Sequence, residues 1–310
     1  MIFLLILLLV IVAVLCATYY VYRVAFYSRK KGQNDPYAIP SGEQYSALKD
    51  DMLKLIDAVV KREYEDVYIT SFDGLKLYGR YYHVKDGAPL NIGFHGYRAT
   101  ALRDFCVGAN ESLKRGHNLL LVDQRGQGKS EGKTITMGIK EHKDVLSWVN
   151  FANERFGKDT KIILYGVSMG AACVVMATRL ELPENVKGVI ADCPYSVPKD
   201  ILLDVAKKDM GISPKIAYPF IYAAGKIYGG FSVTETDCIK AVKKAEIPVL
   251  ILHGEDDRYV PCFMSEEIEK ANPKMVKRYT FPNAGHGLSF FSNKERYREI
   301  TEAFFEDCTK

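Results

Sequence analysis

Gly166-Val167-Ser168-Met169-Gly170 has the spacing of a serine carried on the tip of a sharp strand-to-helix turn. The run 161–164 before it is apolar and strand-like, and 171–176 after it is small, apolar and helix-like. A serine hydroxyl is a weak nucleophile: it needs a base to take its proton, and the base needs an acid to fix its tautomer. Where a serine sits on such a turn, its partners follow along the chain in the order acid, then histidine. Two histidines follow Ser168. His253 comes before the acidic loop and breaks that order. His286 keeps it, in the glycine-flanked loop Ala284-Gly285-His286-Gly287, and is the expected base. The loop His253-Gly254-Glu255-Asp256-Asp257-Arg258-Tyr259-Val260-Pro261 offers Asp256 and Asp257 as the acid, with Asp192 a third candidate at the end of the preceding apolar run. An acyl-transfer site also needs two backbone donors for the developing oxyanion. The expected pair is the N–H of Met169, directly after the nucleophile, and the N–H of Tyr97, in the loop Phe94-His95-Gly96-Tyr97. His95 is read as a hydrogen-bonded loop former rather than a second base.

Positioning such a set requires a sheet whose strand ends converge. Apolar or β-branched runs occur at 67–70, 75–82, 90–94, 119–123, 162–165, 186–191, 249–252 and 276–281, with helical patterns between most of them. Phe72-Asp73-Gly74 marks a hairpin between the first two. The later runs are short and continuously apolar, as strands buried on both faces are. The expected fold is α/β: a mostly parallel eight-stranded sheet flanked by helices, entered through an antiparallel hairpin. About fifty-five residues separate the run ending near Asp192 from the one beginning at Val249, too many for a simple crossover. The insert 194–246 carries Tyr218, Phe220, Ile221, Tyr222, Tyr228 and Phe231, and is expected to form a lid over an apolar pocket.

The first thirty residues differ from the rest. No charged side chain occurs between Ile2 and Tyr22, a run long enough as a helix to cross a bilayer core. Tyr19, Tyr20 and Tyr22 stand at its end, and Arg23, Arg29, Lys30 and Lys31 follow. No basic residue precedes the run, and Leu15 spoils the best cleavage site, so a retained anchor is expected over a cleaved signal peptide. The basic flank puts the domain on the cytoplasmic side of a single-pass anchor. Expected divisions are an anchor over 1–23, a linker (32–40) and leading helix within 24–64, and a catalytic domain over 65–310. Ser41 and Gln44 resemble a capping box before the leading helix. Composition is ordinary for a globular domain, 48% hydrophobic and 26% charged with net charge +4, and no basic patch suits nucleic acid. Seven scattered cysteines without a CxxC pair argue for reduced thiols and against a zinc site.

From about 65 to 308 the motifs resemble those of the α/β-hydrolase superfamily. His95-Gly96 resembles its oxyanion motif, and Asp123-Gln124-Arg125-Gly126-Gln127-Gly128-Lys129-Ser130 its D-x-R-G-x-G-x-S loop, with Gln127 where many members carry His. Gly166 to Gly170, with Met169, resembles the monoglyceride-lipase and serine-aminopeptidase-like branch. His253-Gly254-x-x-Asp257-x-x-Val260-Pro261 is similar to that branch's acid motif, which places the acid at Asp257. The anchor, the insert and Ala191-Asp192-Cys193-Pro194-Tyr195-Ser196 together resemble membrane-anchored Bem46-like or YqkD-like hydrolases. The resemblance implies a catalytic triad of Ser168, Asp257 and His286, with no cofactor and no metal. The expected partners are a small acyl substrate, lipids among the candidates, and the membrane. The expected activity is a serine hydrolase of esters, thioesters or acylglycerols; a peptidase, an acyltransferase and a non-catalytic tethered binder are the alternatives.

Overall fold

A computed structural model describes residues 1–29 and 35–310. Lys30, Lys31 and the start of the expected linker lie outside the described residues. Eight strands form one sheet: β1 (Glu65–Thr70), β2 (Lys76–Tyr82), β3 (Leu90–Phe94), β4 (Asn118–Asp123), β5 (Ile162–Val167), β6 (Val186–Asp192), β7 (Val249–Gly254) and β8 (Val276–Phe281). Their order is β1-β2-β4-β3-β5-β6-β7-β8. β2 is antiparallel to both its neighbours, β1 and β4, and every later pairing is parallel. The chain goes from β3 outward to β4, then returns to lay β5 on the other side of β3. That reversal opens a crevice at the carboxyl ends of β3 and β5, where ligands bind in open α/β sheets.

The period-two alternation of the strands sorts the core into two layers. Leu120, Val122, Ile162, Leu164, Val189 and Ile251 face one side. There they meet α6 (Glu141–Phe156), α7 (Met169–Ala177) and α10 (Cys238–Val242). Leu119, Leu121, Ile163, Ile190, Leu250 and Leu252 face the other side. Their cover is α3 (Lys49–Val60), α4 (Ala101–Asp104), α5 (Cys106–Lys114) and α13 (Lys294–Thr309). Arg125, in the loop after β4, is buried and forks onto both Asp144 oxygens at 2.6 Å, while also reaching Asp73 at 2.9 Å. That loop thus ties the entry hairpin to α6.

The insert folds as α8 (Pro198–Met210), α9 (Pro214–Ala224) with a π turn at Gly225–Gly229, and α10. α11 (Phe263–Ala271) and α12 (Ser289–Ser292) complete the carboxyl-terminal half. At the other end, α1 spans Ile2–Ala25, 24 residues, about 36 Å long and apolar enough to cross a membrane. Its first turns stand exposed, whereas Thr18 and Tyr22, and Phe26 just beyond the helix, are buried against the domain.

The capping box does not form. α2 (Glu43–Ser46) is capped by Gly42 at φ 136° with no side-chain bond, and α3 begins after Leu48. Gln44 is engaged elsewhere: its amide lies so close to Gly285 that a Cβ there would meet it at 1.8 Å. The side chain that would close the box packs on the His286 loop instead.

Candidate active site

β5 delivers Ser168 at the crevice. Its backbone adopts φ 56°, ψ −118°, a conformation a non-glycine residue holds only under constraint. The constraint is the turn between β5 and α7. A Cβ on Gly166 would lie 2.2 Å from the Gly170 oxygen, and one on Gly170 would lie 1.8 Å from the Phe94 oxygen. Only glycine fits at either place, which is the physical content of the G-x-S-x-G spacing.

His286 Nε2 stands 2.9 Å from Ser168 Oγ, and its Nδ1 stands 2.7 Å from Asp257 Oδ2. The loop after β8 holds the ring: Tyr45 Oη, from α2, donates to the His286 carbonyl at 2.9 Å. Asp257 has no exposed side-chain surface. Its Oδ1 accepts from the backbone N–H groups of Tyr259 (2.9 Å) and Val260 (2.8 Å), and His253 Nε2 lies 3.3 Å from Oδ2. Burial disfavours the Asp257 carboxylate, but His286 and His253 outweigh it and hold its pKa well below the usual range. Burial likewise disfavours the His286 imidazolium, while Cys193 and Asp257 favour it, leaving the imidazole well above 6.5. Asp257 is the partner that counts at neutral pH, because burial pushes the Cys193 thiol up to about 11 and keeps it uncharged.

Asp256 is exposed and contributes only its backbone N–H to the Ala284 oxygen. Asp192 is buried with a distant Ser289 hydroxyl, 3.4 Å away, and makes no bond to His286. His253, set aside as a base, supports the acid instead. Its i, i+4 spacing to Asp257 at the end of β7 was the available signal. His95 accepts from Gln124 N–H at 3.1 Å and contacts the Gly96 oxygen at 2.8 Å, holding the loop after β3. The side-chain carboxylate of Asp104 takes the Gly96 N–H at 2.8 Å. That leaves the Tyr97 N–H without a partner among the described residues. The Met169 N–H opens α7 and has no carbonyl one turn back. The β3 loop passes close to Ser168: a Cβ on Gly96 would lie 3.2 Å from Ser168 Cβ.

Cys193, Asp257 and His286 place ligand-type atoms within 4.8 Å of one another. Asp257 is already bonded to one ring nitrogen and Ser168 faces the other, so the group reads as a proton relay rather than a metal cradle. All seven cysteines are free thiols.

Ser168 and His286 open into a cavity of about 840 Å³, within the range of small-molecule sites. Of the insert's expected lining, Phe220 and Ile221 face the cavity. Tyr218 and Tyr222 are exposed instead, and Tyr228 and Phe231 turn toward α1 and Phe26. The aliphatic side chains of α8 and α9, among them Ile201, Leu202 and Ile216, supply most of the cap's contribution.

Residues 93–236 match the family described as the alpha/beta hydrolase fold. The chain is 27% identical over 197 residues to the uncharacterized protein YqkD of Bacillus subtilis, covering 63% of this chain and 64% of that one. With the AB hydrolase superfamily protein YisY of the same organism it shares 25% over 263 residues, 70% of this chain and 91% of that one. The solved Pyrococcus furiosus esterase Pf2001 superposes with a TM-score of 0.67 at 22% identity, over 82% of this chain and 94% of that one. The chain has the α/β-hydrolase fold and resembles that superfamily. Strand order, turn and family model agree on the α/β-hydrolase fold.

Proposed function

We propose that this α/β-hydrolase is a serine hydrolase that cleaves carboxylic esters, thioesters or acylglycerols with an apolar acyl group. The observation that carries the reading is the continuous relay Asp257–His286–Ser168 opening into a mainly apolar cavity. Ser168 Oγ attacks the acyl carbonyl carbon as its proton passes to His286 Nε2. The tetrahedral oxyanion accepts from the N–H groups of Tyr97 and Met169. Collapse breaks the bond to the leaving alcohol or thiol, which takes the proton from His286. Water then attacks the acyl-enzyme, giving its proton to His286, and the free acid leaves as Ser168 recovers its proton. Asp257 holds the ring tautomer and balances the imidazolium throughout. Every proton and charge is handled by the chain's own groups.

The likeness of the site to an esterase's is one of fold, so substrate class rests on the cavity. The full chain in detergent micelles, assayed with p-nitrophenyl acetate, octanoate and palmitate, is expected to hydrolyse at least one of them. Ser168→Ala should remove that activity by about 10⁴-fold or more. Hydrolysis that survives the substitution, or folded protein inert to all three, refutes the assignment. We read α1 as a single-pass anchor with the domain on the cytoplasmic side, supported by its length and by Arg23 in its last turn. Release of the chain from membranes by alkaline carbonate would overturn that reading.

A further inference from the structure

An anchor needs length and apolarity, and nothing more specific than that. The carboxyl-terminal turns of α1 carry more. Ala17, Tyr20, Val21, Val24 and Ala25 recur at helical spacing along one face, and all five line the cavity that holds Ser168 and His286. The last carbonyls of a helix lack intrahelical partners. Here the side chains of the β3 loop supply them. Tyr97 Oη donates to the Ala25 oxygen at 2.9 Å, and Arg98 Nη2 donates to the Val24 and Tyr27 oxygens at 2.8 and 3.0 Å. These residues include the one whose N–H is aimed at the oxyanion, and Arg98 holds φ 51°, a left-handed conformation maintained by such fastening.

The helix end is fixed on its other sides as well. Ile135 N–H donates to the Phe26 oxygen at 2.7 Å and Ser28 N–H to the Lys133 oxygen at 2.9 Å. From the cap, Tyr228 Oη donates to the Leu15 oxygen at 3.2 Å, and Phe231 packs edge-on against Phe26 at 5.0 Å. Val205, Met210 and Ile216 both line the cavity and stand 40–61% exposed, so they form its rim. Lys207 and Lys215 are carried on the same cap helices, and Lys208 is paired there with Asp204 at 2.6 Å. An exposed apolar rim suits a bilayer surface, and the helix that walls the cavity continues as the exposed apolar run read here as the anchor.

We infer that the last two turns of α1 are part of the active site. They wall the acyl channel and hold the oxyanion loop, so that an amphiphile drawn from the bilayer lays its acyl chain along α1 with its carbonyl at Ser168. This deepens the hydrolase reading and rests on it. It also means the anchor sets chain-length selectivity, which a mere tether does not.

The test uses the full chain in phosphatidylcholine nanodiscs and compares the rates at which ethyl and dodecyl fluorophosphonates label Ser168. Val21→Trp fills the channel and should lower the dodecyl-to-ethyl ratio by roughly tenfold or more, the scale of a misfitted apolar pocket. Val21→Ala widens it and should raise the preference for longer chains; it carries the test if the tryptophan variant does not fold. Leu9→Trp, on the exposed part of α1, should leave the ratio alone. A ratio unmoved by both Val21 variants, in protein that still labels, overturns the inference while leaving the hydrolase intact. A folded, unaltered chain that labels with neither probe overturns the hydrolase reading, and this one with it.

Discussion

Asp192→Asn tests whether Asp257 rather than its neighbour Asp192 is the acid of the proposed relay. The Asp192 side chain sits at the carboxyl end of β6, is buried, and is met only weakly, by the Ser289 hydroxyl at 3.4 Å and the neighbouring Cys193 thiol. Burial pushes its pKa up from 3.8 to about 7, with His286 opposing. A carboxyl raised in the folded state binds more protons there than in the unfolded chain between those two values. Stability therefore falls as pH rises from about 4 to about 7 and is flat above. The full penalty is about three pKa units, or about 4 kcal/mol. Asparagine keeps the shape and removes the charge. The variant should gain up to about 4 kcal/mol at about pH 8 and little at about pH 4, read by urea unfolding in micelles. A gain equal at both pH values, or a loss at the higher one, refutes the account. Hydrolysis supplies the second arm. Asp257→Asn should cost about 10⁴-fold in kcat because it loses the bond that fixes the His286 tautomer. The loss for Asp192→Asn should be orders of magnitude smaller. A reversed ranking would move the acid to Asp192.

His286 must be neutral to take the serine proton, and its pKa is raised well above 6.5. The acid limb of kcat/KM should accordingly have its midpoint above 6.5, and Asp257→Asn should move what remains of it to lower pH; a midpoint below 6 in the unaltered chain would contradict the relay. Deleting residues 1–25 strips the carbonyl partners from Tyr97 and Tyr228, leaves Arg98 only the Tyr27 oxygen, and uncovers part of the cavity. Such a truncated chain should unfold several degrees lower in a thermal scan and favour short esters over long ones, whereas an unchanged melting temperature and chain-length profile would make α1 a simple tether.

The sheet was legible because strands buried on both faces must be apolar throughout, and the turn that carries Ser168 because it admits only glycine at two places. The excess length between β6 and β7 disclosed a cap, yet not which of its aromatics would face inward. Tyr228 and Phe231 turn toward α1 and its following residues because that side offers a polar carbonyl and a phenyl ring, at Leu15 and Phe26. Choosing Asp257 over Asp256 needed family resemblance, since adjacent residues of a loop point apart and their types are identical. The capping box failed for a related reason: Gln44 had a better contact, at Gly285, that lies far away in sequence.

The deepest gap concerns α1, and its cause is general. An amphipathic helix announces its buried face by the polarity of the other one. A membrane helix is apolar all round, so a face packed on protein and a face meant for lipid read alike. Ala17, Val21 and Val24 carry no mark that separates them from Leu9 or Ile11. The signal lay in its partners. Tyr97 and Arg98 extend polar side chains from the loop that passes beside Ser168, and they end on the helix's spare carbonyls. Thr18 and Tyr22 are the buried residues of α1, beside the face that lines the cavity: Tyr22 Oη is 2.8 Å from the Thr134 hydroxyl, while the Thr18 hydroxyl returns to the Val14 oxygen of its own helix. A polar atom in a membrane-length helix therefore marks its protein-facing side only where a partner stands outside the helix, as Thr134 does for Tyr22.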